Sequence, residues 1–184
     1  MDRKIAIQNL KEITDILTRN NVRNFLVYGS CLGAVREHNI IEHDLDTDLG
    51  IMAEDWKFDI LRQFFEAGYE IRNIYGMFNY GCEIYLRKNG IKTDLMFFYK
   101  DEKKGEYWNC LWDNNCVNGE ADKIKHVYPM YHFNSEFGIC SLEGELFNIP
   151  TAIENYLLHV YGKNWRTPVK EFNWKTDHKC TEHE

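Results

Sequence analysis

The chain predicts an α+β fold, a mixed β-sheet flanked by helices, over residues 1–184 as one unit. Three observations carry this expectation. The apolar run Phe25-Leu-Val-Tyr28 breaks at Gly29-Ser30, a strand-like segment then places Asp44, Asp46 and Asp48 on alternate positions, and an Asn89-Gly90 hairpin lies between amphipathic segments at either end. A tight hairpin amid strands and helices does not suit a doubly wound sheet, whose parallel strands are joined by helical crossovers.

Taken in order, Ile5, Ile7, Leu10, Ile13, Ile16 and Leu17 recur mostly at three- and four-residue spacing and predict an opening amphipathic helix that ends at Asn20-Asn21. Phe25–Tyr28 reads as a short buried strand entering the Gly29-Ser30 turn, Cys31–Arg36 as one or two helical turns, and residues 45–52 as the acidic strand. Glu54–Ala67 predicts a helix with Trp56, Ile60, Leu61, Phe64 and Phe65 on one face, stopped by Gly68. Tyr69–Ile74 is a strand. Tyr80–Arg87 and Ile91–Tyr99 form a hairpin, because Asn-Gly supplies the two positive-φ residues of a type I′ turn. Residues 105–147, rich in aromatics, glycine and asparagine, suggest further short strands and loops, and Pro150–Tyr161 closes as a helix before Gly162. No repeat, low-complexity tract or linker is evident.

Hydrophobic residues make up 44% and aromatics 15% of the chain, enough for a folded core and too much for disorder. The net charge of −7 disfavours a broad nucleic-acid footprint, although Arg36, Lys88, Lys92 and Lys100 leave room for a local basic patch. No apolar run approaches a membrane span, and Met1-Asp-Arg-Lys-Ile-Ala lacks a signal-peptide core, so the expectation is a soluble, cytoplasmic protein. Its six cysteines are then expected to be reduced. Cys110 and Cys116 lack close zinc-site spacing, and the tail His178-Lys-Cys180-Thr-Glu-His183 has no matching second pair.

Alternate residues of a strand point to one face ~6.6 Å apart, so Asp44, Asp46 and Asp48 can converge beside the sheet. Two unit charges ~4 Å apart repel by roughly 4 kcal/mol at an effective dielectric near 20. A hard divalent cation, Mg²⁺ or Mn²⁺, removes that penalty. Asp94 is the odd charge in the apolar strand Lys92-Thr-Asp-Leu-Met-Phe-Phe98; alone it reads as a strand-edge residue. Beside the acidic strand it becomes a third carboxylate for the same ions and a proton acceptor for an attacking hydroxyl. An EF-hand loop is disfavoured, since Leu49 stands where Gly is needed and Asp55 where Glu is needed. A solvated acidic turn is disfavoured by the interleaved Leu45, Leu49 and Ile51. Gly29-Ser30-Cys31-Leu32-Gly33 misplaces serine for a nucleophile elbow, and no local feature selects His38 or His43 as a base for Cys31. A phosphate cradle fits better. Gly29 admits close backbone approach, Ser30 donates a hydroxyl, a helix N-terminus follows, and Arg36 can hold a phosphate bidentately or form an ordinary surface ion pair. Tyr107, Trp108, Trp112, Tyr128 and Tyr131 either pack in the core or stack on an acceptor sugar.

Gly29-Ser-x-Leu32-Gly-Ala-x-Arg36, followed by Ile40-Ile41 and His43-Asp-x-Asp-x-Asp48-Leu-Gly50, resembles the LicD/fukutin family of nucleotidyltransferase-fold phosphotransferases. Ile149-Pro150, Tyr156-Leu157 and Tyr161-Gly-x-x-Trp165-Arg-Thr-Pro168 resemble the family's closing elements, while residues 100–147 match weakly. His43 replaces the usual Trp, Glu42 a common Pro, and Cys31 an expected Leu. The resemblance implies a nucleotidyltransferase-like fold and transfer of a phospho-alcohol, such as phosphocholine or ribitol phosphate, from a CDP-activated donor to a glycan hydroxyl. It implies Asp46, Asp48 and Asp94 as metal ligands and catalytic carboxylates, with Asp44 a further ligand or a supporting group. Gly29 and Ser30 line the donor phosphates, and Arg36 contacts them or braces the turn. A partner protein for acceptor recognition is also expected. Two alternatives stay open: a nucleotidyltransferase that delivers a nucleoside monophosphate to a small molecule, protein or RNA, and a catalytically silent nucleotide- or glycan-binding module.

Overall fold

The computed structural model describes residues 1–117, 120–133 and 136–182. Helix α1 (Arg3–Arg19) starts at Asp2, whose carboxylate accepts from Ile5 N at 3.1 Å, and it buries Ala6, Ile7, Leu10, Ile13, Ile16 and Leu17. This apolar stripe is the one that the spacing predicts. Strand β1 (Asn24–Leu26) runs into helix α2 (Tyr28–Arg36), and β2 (Asp46–Met52) follows. Tyr28 and Gly29-Ser30 belong to the first turn of α2, not to a strand and a separate turn as expected. Tyr28 takes φ +44, a strained value for an aromatic residue. Its hydroxyl is buried among Asn109, His126 and Tyr128, which holds the backbone there.

The predicted helix over 54–67 is divided. Residues Ala53–Asp55 form a 3₁₀ turn and helix α3 covers Asp59–Glu66. Asp55 Oδ2 accepts from Arg23 N at 3.1 Å and Arg23 Nε at 2.7 Å, which anchors the turn separately from α3. Trp56 stacks on Phe78, and Phe65 faces solvent.

Strands β3 (Glu70–Met77), β4 (Tyr80–Lys88) and β5 (Ile91–Asp101) follow. Asn89 and Gly90 have φ +53 and +78, as the predicted hairpin turn requires. The sheet order is β1-β2-β5-β4-β3. The β2–β5 pair is parallel and its other pairs are antiparallel, giving a mixed sheet with flanking helices, as predicted. The segment expected to hold short strands contains two longer ones, β6 (Glu106–Val117) and β7 (Glu120–Pro129), which extend the sheet from the end of β5. A small hairpin, β8 (Gly138–Leu142) and β9 (Glu145–Ile149), precedes helix α4 (Ile153–Tyr161) and the short α5 (Trp174–Asp177).

Helix α1 packs on β1, β2, β5 and β9. Alternation along β2 and β5 sets Thr47, Leu49 and Ile51 with Thr93, Leu95 and Phe97 on one face. The opposite face carries Asp46, Asp48, Gly50, Lys92, Asp94, Met96 and Phe98. Toward one end it is covered by an aromatic cluster of Phe25, Phe98, Tyr128 and Phe133. At the other end it lies open. Among the described residues, no helix is long and apolar enough to cross a membrane.

Candidate functional site

Asp48 and Asp94 lie directly opposite each other in the parallel β2–β5 ladder, and Asp46 pairs with Lys92 one step along the same face. Like charges in direct cross-strand positions are destabilising. Lys92 offsets this: its ammonium lies 2.6 Å from Asp94 Oδ2 and 3.3 Å from Asp46 Oδ2. Asp44 precedes β2, and the exposed Leu45 is not the half-buried strand residue expected. Asp44 still turns to the same point. A Cβ on Gly29 would lie 2.9 Å from Asp44 Oδ2 and 3.3 Å from Asp48 Oδ2, so the first turn of α2 leaves those carboxylates room by lacking a side chain. Ser30 is buried, and its Oγ accepts from Asp48 N at 2.7 Å. That bond ties the glycine corner to the acidic strand.

Gly29, Asp44, Asp46, Asp48, Lys92 and Asp94 line a cleft of about 490 Å³, together with Tyr28, Glu83 and Trp112, whereas Ser30, expected beside the donor phosphates, is buried and is not part of the lining. Asp48, Asp44 and Asp94 resist ionisation there. Burial, then the charges of Asp46, Asp94 and Asp44, push Asp48 well above the usual range. Asp44 is raised to about 6 by burial and by Asp46. Burial also raises Asp94 to about 6, although Lys92 pulls against it. Burial tends to discharge Lys92, but Asp94, Asp46 and Asp48 outweigh it and hold the ammonium charged.

Sequence inspection missed Glu83. It sits on β4 against Met96, is 7% exposed, accepts from Trp112 N at 3.1 Å, and is raised to about 8 by burial and then by Asp94. The available signal was a charge between Cys82 and Ile84 in an otherwise apolar stretch of strand.

Arg36 is not brought to the cleft lining. Its guanidinium donates to Glu37 Oε1 at 2.7 Å and to the Trp165 carbonyl at 3.3 Å, so it braces the end of α2. The local basic patch does not form either: Lys88 pairs with Glu12 and Lys100 with Glu102. Cys31 is fully buried, and burial raises its thiol well above the ordinary value, which removes it as a nucleophile. Tyr107 and Tyr128 are core residues, Trp108 stacks on Tyr99, Tyr131 lies outside the cleft, and Trp112 alone of that aromatic set lines it. The side chain of Cys116 and all of His183 lie outside the described residues.

As the side chains stand, the described residues hold no group of three His, Cys, Asp or Glu in coordinating array. Lys92 takes up two of the carboxylates, Asp46 and Asp94, in ion pairs. The donor set nonetheless suits a hard divalent cation. It consists of oxygens alone, and Asp94 Oδ1 is buried without a hydrogen-bond partner. Asp46, Asp48 and Asp94, with Asp44 beside them, are the residues that can hold such an ion.

Residues 21–134 match the family model described as LicD/FKTN/FKRP, nucleotidyltransferase domain. Human "Ribitol-5-phosphate transferase FKTN" is 30% identical over 176 residues, covering 94% of this chain and 36% of the human protein. An uncharacterised Caenorhabditis elegans protein is 30% identical over 184 residues, 96% of this chain and 47% of its own length. An uncharacterised Rickettsia typhi protein is 36% identical over 99 residues, 53% of this chain and 29% of its own. The chain thus spans about a third to a half of the relatives that it matches along most of its length.

Proposed function

Because the chain belongs to the LicD/FKTN/FKRP nucleotidyltransferase-domain family, we propose that it transfers a phospho-alcohol from a CDP-activated donor to a glycan hydroxyl, with Mg²⁺ or Mn²⁺ as cofactor. The observation that carries this reading is the pairing of Asp48 with Asp94 on one sheet face, beside Asp46 and against the side-chain-free Gly29. The name of the FKTN relatives supports ribitol 5-phosphate as the first candidate for the moving group.

A bound divalent cation would neutralise the donor's pyrophosphate and orient it for in-line displacement. Asp46, Asp48 and Asp94 would hold that ion, with Asp44 beside them. Gly29 leaves Asp44 and Asp48 room to turn toward the ion, and Ser30 fixes Asp48 through the bond it accepts. Asp94, buried at the cleft floor with Oδ1 free of a hydrogen bond, is the carboxylate placed to take the acceptor hydroxyl's proton. Lys92 balances the cluster before the donor enters.

The test is incubation with CDP-ribitol, CDP-choline or CDP-glycerol, Mg²⁺ and a panel of glycan acceptors, read by product mass. Release of CMP with an acceptor heavier by the phospho-alcohol is expected. The family model's own description favours one second reading, in which the acceptor gains a nucleotide. Binding of the donor without turnover on any acceptor would leave a binding module in place of an enzyme.

A further inference from the structure

Beyond Pro168 the chain folds back over the sheet and is fastened there. Lys179 N donates to Val160 O at 2.8 Å, Val127 N to Cys180 O at 2.9 Å, and Glu182 N to Lys125 O at 2.9 Å. Asn173 caps α5 by accepting from Lys175 N, and Lys175 pairs with Asp113 at the cleft edge. This fastening brings Lys170, Phe172, Trp174 and His178 to the cleft that holds the carboxylates.

The wall so formed has a different chemistry from the floor. Phe172 is 39% exposed, although its ring lies 5.3 Å from Tyr161 and 5.1 Å from His178. Trp174 is partly buried, and Lys170 adds positive charge. His178 is 6% exposed, stacks on Tyr28 at 5.0 Å, and its Nδ1 is buried without a hydrogen-bond partner. An aromatic ring left open to water inside a cleft, beside a polar atom without a partner, suits a ligand with a flat face and polar edges.

Resting on the function proposed above, we infer that Lys170–His178 is the wall that receives the planar base of the donor nucleotide, with Phe172 and Trp174 as its stacking surface. The donor's phosphates are held at Asp46, Asp48 and Asp94, and its base is tied to them through a single ribose. The base therefore lands within the same cleft, on the only lining away from the carboxylates that is both aromatic and cationic among the described residues.

Calorimetric titration of the whole chain with CDP and with inorganic pyrophosphate, each with Mg²⁺, tests this on the unaltered protein and on Phe172→Ala, Trp174→Ala and Phe172→Tyr. Pyrophosphate reports the carboxylate floor and the integrity of the fold; CDP adds the base. The unaltered protein should bind CDP more tightly than pyrophosphate. Each alanine variant should weaken CDP about tenfold and leave pyrophosphate unchanged, and Phe172→Tyr should keep CDP affinity. If CDP affinity is unchanged in both alanine variants, or falls only in step with pyrophosphate, the inference is overturned while the function proposal stands. If the unaltered protein binds neither ligand, the donor reading itself is refuted.

Discussion

Glu83→Gln isolates the electrostatic cost of the cleft without disturbing its shape, because glutamine keeps an oxygen to accept from Trp112 N. Glu83 is raised from an ordinary 4.5 to about 8 by burial and by Asp94. A carboxyl with a raised folded-state pKa holds its proton more tightly when folded. Stability is therefore full below 4.5, declines as pH climbs toward 8, and then levels off. The complete interval corresponds to ~5 kcal/mol at most, and the part traversed by pH 7 to ~3 kcal/mol. Since Asp94 titrates in the same surroundings and takes a share, the measurable difference is about 2 kcal/mol at pH 7. Urea denaturation at pH 5, 7 and 8 without divalent cation is the assay. The wild-type protein should lose stability across this series, and Glu83→Gln should lose about 2 kcal/mol less between pH 5 and 7. Parallel stability curves would show that Glu83 ionises normally on folding, and the account of a desolvated anionic cleft would then be wrong.

Asp48→Asn should abolish turnover and Mg²⁺-dependent donor binding while leaving Tm unchanged or higher, because burial and the neighbouring carboxylates already disfavour the Asp48 charge in the folded protein; activity within a few-fold of wild type would exclude Asp48 as a ligand. Gly29→Ala should weaken Mg²⁺ binding at least tenfold by calorimetry, since its Cβ would press on Asp44 and Asp48; retention of full affinity would mean that the carboxylates turn away at no cost. Mg²⁺ should raise Tm more at pH 8 than at pH 5, because Asp44 and Asp94, both near 6, are largely protonated at the lower pH and must shed those protons to bind the ion; an equal shift at both would place the ion elsewhere.

The acidic strand is legible because its carboxylates alternate, whereas Asp94 taken alone reads as a strand-edge residue and gains its meaning only from a neighbouring strand. What the pattern does not contain is the pairing. Only the parallel register of β2 against β5 sets Asp48 opposite Asp94, and a slip of one residue would send Asp94 to the far face of the sheet. The expected 54–67 helix fails for a similar reason: its apolar spacing is local, while the bond from Arg23 to Asp55 that separates the 3₁₀ turn spans 32 residues. The tail wall has no period at all. Caps and long-range backbone bonds fold it, and neither leaves a mark in the spacing of Lys170, Phe172, Trp174 and His178.

The two family motifs, more than a hundred residues apart, act on one structural joint. Arg36 ends the first motif and Trp165 lies in the second, and the guanidinium donates to the Trp165 carbonyl while pairing with Glu37. Arg36 is thereby committed to holding the C-terminal end of α2. The N-terminal end of the same helix carries Gly29 and Ser30 against Asp44 and Asp48. From the far motif, Tyr161 reaches the cleft, and Gly162, at φ +80, turns the chain after α4 toward Trp165. A helix pinned at both ends keeps its first turn at a fixed distance from the acidic strand. That fixity keeps Gly29 in register with Asp44 and Asp48. Arg36 thus sets the position of the glycine corner from the far end of α2, and its place in a motif beside that corner follows from leverage rather than contact.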